Sequence, residues 1–117
     1  MFLSVLKAKI QPATVTDANL YYEGSITIDQ ELLEASGMLP FEKVDVLNIN
    51  NGFRAQTYII RGERGSGSII MNGALARHAE KGDKVIILCY GMIEESRAVH
   101  TTPNIILVDE ENRIKSE

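Results

Sequence analysis

Short runs of alternating apolar residues, separated by turn-forming residues, constrain the fold of this chain more than any other feature. Because successive side chains of a strand point to opposite faces, such alternation indicates strands with one buried face. Runs of this kind cover residues 2–10, 44–49, 53–60, 84–90 and 104–108. The dipeptide Asn51-Gly52, between two of these runs, indicates a hairpin turn. Many short strands with few helices predict a mainly β fold, built as a small barrel.

Two short helices are predicted between the strands. Asp29 is a suitable N-cap for a helix through Ala35, and Gly37 would end that helix by adopting a positive φ. The run 73–78 favours a second helix, because its alanine and leucine residues have high helix propensity. The Gly-rich stretch 62–67 fits a loop between strands better than a phosphate-binding loop, because it lacks the Gly-Lys-Ser/Thr ending.

The composition indicates one small acidic domain. The 117 residues are enough for a single modest core. The 12 Lys and Arg residues against 16 Asp and Glu give a net charge of −4, which disfavours a nucleic-acid partner. No apolar run approaches the roughly 18 residues of a membrane helix, and the N-terminus lacks the features of a signal peptide. We therefore expect a cytoplasmic protein with no membrane segment.

The cysteine and the histidines indicate no metal site. Cys89, the single cysteine, lies in an apolar strand run, where a small core residue is the expected role. His78 and His100 are not accompanied by cysteines or carboxylates at ligand spacing. We predict no bound metal.

The dipeptide Gly24-Ser25 could be a place where the chain cuts itself. A serine hydroxyl can attack the carbonyl of the preceding residue when the backbone is bent and a donor stabilises the oxyanion. Glycine suits the preceding position, because it tolerates positive φ and allows close approach. Elimination would then give a dehydroalanine, which hydrolyses to a terminal pyruvoyl group and ammonia. Taken alone, however, Gly-Ser before an alternating run more often marks a loop that enters a strand.

Several short motifs, in the same order and at matching intervals, resemble the pyruvoyl-dependent aspartate 1-decarboxylases. The resemblance runs from about residue 1 to about residue 110. It is carried by Lys9, Tyr22-Glu23-Gly24-Ser25, Asn51-Gly52-Phe53-Arg54, Thr57-Tyr58, Glu63-Arg64-Gly65-Ser66-Gly67 and Asn72-Gly73-Ala74.

This resemblance implies a small double-psi β-barrel with short helices, forming a single domain over residues 1–117. It implies self-cleavage between Gly24 and Ser25 into a β chain, 1–24, and an α chain, 25–117. The cofactor would be a covalent pyruvoyl group made from Ser25. The implied reaction converts L-aspartate to β-alanine and CO2 through a Schiff base, as a step of pantothenate biosynthesis.

The resemblance also implies roles for individual residues. Tyr58 matches the proton donor of the family, since a phenol can protonate a strong carbon base. Arg54 matches a carboxylate clamp, because its planar fork can donate two parallel hydrogen bonds, and Lys9 matches a second cation. The other positions that resemble substrate-contacting residues of the family are Tyr22, Thr57, Asn72, Gly73, Ala74 and Leu75.

Strand geometry raises one difficulty with these roles. Arg54 and Tyr58 would share a strand face at roughly 13 Å between Cα atoms. Thr57 would point to the opposite face, unless the strand is twisted or bulged or one of the neighbours acts through its backbone. Two positions also depart from the family pattern: Gln11-Pro12 replaces a common His-Arg pair, and Leu75 replaces a typical alanine.

The resemblance implies a homotetramer with sites between subunits, and it leaves open whether a maturation factor assists cleavage. Two alternatives remain at this point. The same barrel could be a noncatalytic binding or assembly module in which Gly24-Ser25 is only a turn. It could also be a pyruvoyl enzyme that acts on another amino acid.

Overall fold

The computed structural model describes residues 1–115. Its strands are β1 (Phe2–Thr14), β2 (Asp17–Asn19), β3 (Ser25–Asp29), β4 (Lys43–Asn48), β5 (Arg54–Gly62), β6 (Ile69–Asn72), β7 (Lys84–Glu94) and β8 (Asn104–Leu107). The helices are α1 (Gln30–Ser36), a 3-10 helix (Gly73–His78) and α2 (Glu95–Ala98). The prediction of a mainly β fold with short helices is confirmed.

The strands form one mixed sheet with the order β2-β6-β3-β5-β4-β7-β1-β8. The pairs β1/β8, β2/β6 and β3/β5 are parallel, and the other neighbours are antiparallel. Between β1 and β2, the amide of Val15 donates to the Asp83 carbonyl at 2.8 Å, and the amide of Thr16 donates to the Ile69 carbonyl at 2.8 Å. This segment therefore bridges the start of β7 and the start of β6, which lie far apart in the strand order. The bridge curves the sheet around one core, as in a small barrel.

Apolar side chains from most of the strands fill that core. Fully buried members include Ala8, Ile10, Ile26, Ile28, Ile59, Ile69, Met71, Val85 and Ile87. Cys89 is also fully buried, which confirms its predicted role as a small core residue. Burial raises the pKa of its thiol to about 12, and the neighbouring carboxylate of Glu42 acts in the same direction. The thiol is therefore protonated at neutral pH.

Helix α1 begins and ends where the sequence predicts. The Asp29 side chain accepts a hydrogen bond from the amide of Glu31 at 2.8 Å, and Gly37 ends the helix with a φ of 79°. The same carboxylate accepts from the amides of Gly65 and Gly67, both at 2.8 Å. One aspartate thus caps the helix and fixes the Gly-rich loop between β5 and β6.

The hairpin at Asn51-Gly52 is confirmed, with β4 and β5 antiparallel on either side. Gly52 adopts a φ of 76°, and the side-chain oxygen of Asn51 accepts from the amide of Phe53 at 2.9 Å.

Strands β1 and β7 extend beyond the alternating runs 2–10 and 84–90. β1 continues through Pro12 with a shift of register between Ile10 and Ala13, as expected where proline removes a ladder donor. β7 continues to Glu94, and α2, which follows it, has no clear signal in the sequence. None of the helices within residues 1–115 combines the length and apolarity needed to cross a bilayer.

Candidate active site

Ser25 is the first residue of β3 and is fully buried, although Gly24 beside it is exposed. Its hydroxyl donates to the carbonyl oxygen of Glu23 at 3.1 Å. The Ser25 hydroxyl oxygen in turn accepts a hydrogen bond from the Asn72 side-chain amide at 3.0 Å. The hydroxyl of the predicted cleavage residue is therefore held between two partners at the point where the chain enters the core.

The antiparallel register of β3 and β6 explains the contact with Asn72. Ser25 lies directly opposite Asn72 in that register. The Asn72 amide nitrogen also donates to the Thr27 hydroxyl at 2.9 Å, and the residue is buried. The structure thus directs the Asn72 amide toward Ser25. The sequence did not predict this contact between the two residues.

Gly73 packs closely against the predicted cleavage dipeptide. Its φ is +67°, and a Cβ on this residue would lie 2.7 Å from the Gly24 Cα and 2.8 Å from the Tyr22 carbonyl oxygen. These contacts are with backbone atoms, which cannot move aside as a flexible side chain can. Only glycine fits at this position.

Gly24 itself is not restricted in the same way as Gly73. Its φ is not positive, and a Cβ built there would meet no atom of residues 1–115 within 4 Å. The positive φ expected for the glycine before Ser25 is therefore wrong for the intact chain in this conformation, while close approach of the Ser25 oxygen to the Gly24 carbonyl stays a prediction. Gly73 is the residue that combines a positive φ with close contact to backbone.

A cavity of about 460 Å³ opens beside the cleavage dipeptide. It is lined by Gly24, Phe53, Ala55, Gln56, Thr57, Tyr58, Ala74, Leu75 and His78. The structure thus brings Gly24 together with four of the predicted site residues: Thr57, Tyr58, Ala74 and Leu75.

The pairing of β5 explains how neighbouring residues of one strand reach the same cavity. β3 pairs with β5 only from Ile59 onward, whereas β4 pairs with residues 54–58 in an uninterrupted register. The edge of β5 that faces β3 is therefore unpaired before Ile59, and the cavity lies against that edge. Thr57 and Tyr58 both line it without a bulge. This outcome resolves the difficulty that strand alternation raised.

The two predicted cations do not line this cavity. The Arg54 side chain is 64% exposed, and its Nη2 lies 4.0 Å from Oδ2 of Asp45. Together with Ala55 and Gln56, these two residues line a separate depression. Lys9 lies in β1, between Leu88 of β7 and Ile105 of β8.

Tyr22 is exposed, and its side chain is likewise absent from the residues that line the cavity. The roles predicted for Tyr22, Lys9 and Arg54 are therefore not explained by the cavity of one chain.

Comparison with known proteins shows the family of this chain. Residues 1–115 match the family model described as aspartate decarboxylase. The chain belongs to this family. It is 60% identical over 114 residues to the aspartate 1-decarboxylase of Carboxydothermus hydrogenoformans, covering 97% of this chain and 90% of that protein. It is 53% identical over 116 residues to the aspartate 1-decarboxylase of Leptospira biflexa, covering 98% of each chain.

A third member of the aspartate decarboxylase family, from Chloroherpeton thalassium, is 56% identical over 115 residues, covering 98% of this chain and 85% of that protein. These matches confirm the resemblance found in the sequence. The roles of the individual site residues stay predictions.

Two aromatic residues at the cavity were not assigned a role from the sequence. The rings of Phe53 and His78 stack with centroids 3.6 Å apart and an interplanar angle of 7°. The ring of Tyr58, on β5, stacks with the ring of Phe41, with centroids 6.4 Å apart. Phe53 lies within the Asn-Gly-Phe-Arg motif, which was a usable signal. Nothing near His78 in the sequence indicated that it lines the same cavity as Gly24.

No group of three or more His, Cys, Asp or Glu side chains in residues 1–115 is placed to hold a metal ion. The groups that the site offers are a buried hydroxyl, a carboxamide, a phenol and backbone amides. These groups suit acyl transfer at a backbone carbonyl and proton transfer to carbon.

Proposed function

We propose that this chain decarboxylates L-aspartate at its α-carboxylate to give β-alanine and CO2. Relatives of 53–60% identity carry the name of this reaction. The observation that carries the proposal is the buried Ser25 hydroxyl, held by Glu23 and Asn72 next to a cavity that Tyr58 lines. The cytoplasm is the expected location, and the product would serve pantothenate biosynthesis.

We infer that the chain first cuts itself between Gly24 and Ser25. The Ser25 oxygen attacks the Gly24 carbonyl carbon, so that a C–O bond forms, the C–N bond breaks and the hydroxyl proton passes to the Ser25 nitrogen. Loss of the Ser25 Cα proton then breaks the Cβ–O bond and leaves a carboxylate on Gly24. The dehydroalanine that remains takes up water and releases ammonia, which gives the pyruvoyl end.

The residues around Ser25 fit such a group. Asn72 donates to the Ser25 oxygen, and the contact of Gly73 with Gly24 holds the segment that must bend. When present, a pyruvoyl group would supply a carbonyl that condenses with the substrate amine, with loss of water, and so takes up the electron pair left by departing CO2. Tyr58 then delivers a proton to the carbon that has lost CO2, and Thr57 contacts the substrate from the same unpaired edge.

We propose that the active form is a homotetramer in which Arg54 and Lys9 serve the cavity of a neighbouring copy. Neither side chain lines the cavity of its own chain. Binding the two carboxylates of aspartate is nevertheless expected to require cationic side chains. Arg54 is exposed and would clamp a substrate carboxylate, with Tyr22 lining the assembled pocket. Asn72, Gly73, Ala74 and Leu75 would form its floor.

Mass spectrometry of the intact protein tests the cleavage step. Purified chain should convert to fragments 1–24 and 26–117 plus the pyruvoyl residue, while Ser25→Ala stays whole and inactive. Ser96→Ala, at an exposed serine of α2, is the matched control and should be cleaved normally. Incubating the purified chain alone also decides whether a maturation factor is needed. Full activity from an unbroken chain would contradict the proposal.

Two other functions are distinguished by the same preparation. A chain that stays whole and inactive after prolonged warming would indicate a noncatalytic module. Measuring CO2 release from aspartate, glutamate and ornithine separates the proposed reaction from a pyruvoyl enzyme for another amino acid. A preference for ornithine would contradict a clamp at Arg54.

A further inference from the structure

His78 lies at the cavity that also contains Gly24. It is the last residue of the 3-10 helix, and it lines the cavity together with Gly24, Thr57 and Tyr58. Any small molecule that reacts at residue 25 and fills this cavity therefore meets His78 at the wall.

Three neighbours fix the position of His78. Its ring stacks on Phe53 with centroids 3.6 Å apart. Its backbone carbonyl oxygen accepts hydrogen bonds from the side-chain amides of Asn48 at 3.0 Å and Asn51 at 2.9 Å. A residue held at both its ring and its backbone presents its nitrogens with little loss of side-chain entropy when a ligand binds.

The ring nitrogens of His78 are available to a ligand. Within residues 1–115, the hydrogen bonds of His78 involve its backbone, and neither ring nitrogen has a partner. An imidazole donates one N–H when neutral and two when protonated. The other side chains that line the cavity are those of Phe53, Ala55, Gln56, Thr57, Tyr58, Ala74 and Leu75, and none of them is a cationic residue.

An aspartate substrate has two carboxylates, of which one is lost in the reaction and the other is retained. The α-carboxylate leaves as CO2 at the carbon attached to the reacting amine, so a strong cation on it would oppose the reaction. The second carboxylate stays in the product and can be bound tightly throughout. A donor on the cavity wall that is not hydrogen-bonded to Ser25, whose hydroxyl is held by Glu23 and Asn72, is suited to the carboxylate that stays.

We propose that His78 is a specificity-determining residue that donates a hydrogen bond to the retained carboxylate of the substrate. This inference rests on the proposed decarboxylation of aspartate. It gives each chain a carboxylate donor of its own, in addition to Arg54 and Lys9 from a neighbouring copy. Phe53 is the positioning residue that holds the ring.

Binding of succinate tests the contact without turnover. Succinate has two carboxylates and no amine, so it can occupy the site without reacting. The chain has 2 histidines, so its proton spectrum has two imidazole Hε1 signals, which His100→Gln assigns. Succinate added to the mature enzyme should shift the His78 signal saturably and leave the His100 signal in place. A His78 signal that does not move at 50 mM succinate, roughly fifty times the upper end of common KM values, overturns the inference.

Kinetic constants give the second test. His78→Phe keeps an aromatic ring on Phe53 but removes the donor, and should raise KM for aspartate about tenfold, with self-cleavage intact and kcat within about twofold. His78→Gln restores a donor and should recover part of that loss, while His100→Gln should match the wild type.

The two proposals fail in different ways. A wild-type enzyme that releases no CO2 from aspartate contradicts the proposed function. If the wild-type enzyme releases CO2 from aspartate and His78→Phe leaves its KM unchanged, the role of His78 is contradicted while the proposed function stands.

Discussion

Among single residues, Gly73 is the one whose identity the backbone around Gly24-Ser25 dictates. It combines a φ of +67° with contacts to the backbone of Gly24 and Tyr22 that leave no room for a Cβ. Gly24, although it is half of the cleavage dipeptide, has open space around the same position. The conformation of residues 22–24 therefore depends on a residue in the 3-10 helix, about fifty positions away along the chain.

Gly73→Ala should destabilise the protein by more than about 1 kcal/mol, because a left-handed φ and a backbone clash both oppose the added methyl group. It should also slow self-cleavage, since segment 22–24 must move. Gly24→Ala is the matched control for stability and should change the free energy of unfolding by less. Urea denaturation and intact mass measure the two effects. Equal destabilisation by both variants would contradict this view of Gly73.

Tyr58→Phe should separate the two chemical steps. The variant keeps the ring that stacks on Phe41, so the fold and self-cleavage should be preserved. Decarboxylation should slow by about 10²- to 10⁴-fold, because the phenolic proton is missing. Fragment masses report the first step, and CO2 release reports the second. An unchanged kcat would remove Tyr58 from the role of proton donor.

Between elements, the carboxylate of Asp29 joins β3, helix α1 and the loop between β5 and β6. Burial raises the pKa of Asp29, but hydrogen bonds from the amides of Glu31, Gly67 and Gly65 outweigh that effect, and the net pKa lies below its ordinary value. A carboxyl group with a lowered pKa in the folded state stabilises the protein above its ordinary pKa, near 3.9. That stabilisation is lost as the pH falls through the lowered value.

Asp29→Asn should therefore reduce the free energy of unfolding by about 2–4 kcal/mol at pH 7, because one of its amide hydrogens would face a backbone N–H. The difference from wild type should shrink as the pH falls from about 5 to about 2. Denaturation at several pH values measures this, with exposed Asp17→Asn as the control, expected within about 0.5 kcal/mol. A difference that is constant with pH would contradict the ionic origin of the stabilisation.

The whole molecule presents its predicted cleavage dipeptide, Gly24-Ser25, and its predicted clamp, Arg54, in different places. The cavity at Gly24 lies on the β3 side of β5, whereas Arg54 lines a depression with Asp45 on β4. The outer surface of the sheet also exposes Phe2, Met92 and Ile105, which lie on β1, β7 and β8. Both features fit the proposal that the site is completed by a neighbouring copy of the chain.

Mixing two inactive variants tests assembly. Ser25→Ala retains Arg54 but cannot make the pyruvoyl group, while Arg54→Ala makes the group without the clamp. Coexpression of the two should restore activity if Arg54 serves a neighbouring copy, and the mass of the native complex should equal four chains. No recovery in complexes that contain both variants would show that Arg54 acts within its own chain.

Local residue chemistry was enough to predict much of this protein. The cap and stop of α1 at Asp29 and Gly37, the hairpin at Asn51-Gly52 and the buried Cys89 depend on neighbours in sequence or on apolarity, and all are confirmed. The motifs around Ser25 and Tyr58 were enough to predict the family. Such features are visible in one dimension because the forces that set them act over a few residues.

Tertiary structure decided what lies beside what. The pairing of Ser25 with Asn72, the fit of Gly73 against Gly24 and the unpaired edge of β5 follow from strand register. The position of His78 at the cavity follows from its packing on Phe53 and its hydrogen bonds with Asn48 and Asn51. Register is a long-range property: it depends on how whole strands bury their apolar faces against one another, and a shift of one residue would turn every side chain to the other face. The sequence alone therefore determined which chemical groups this protein has, and packing determined which of them meet.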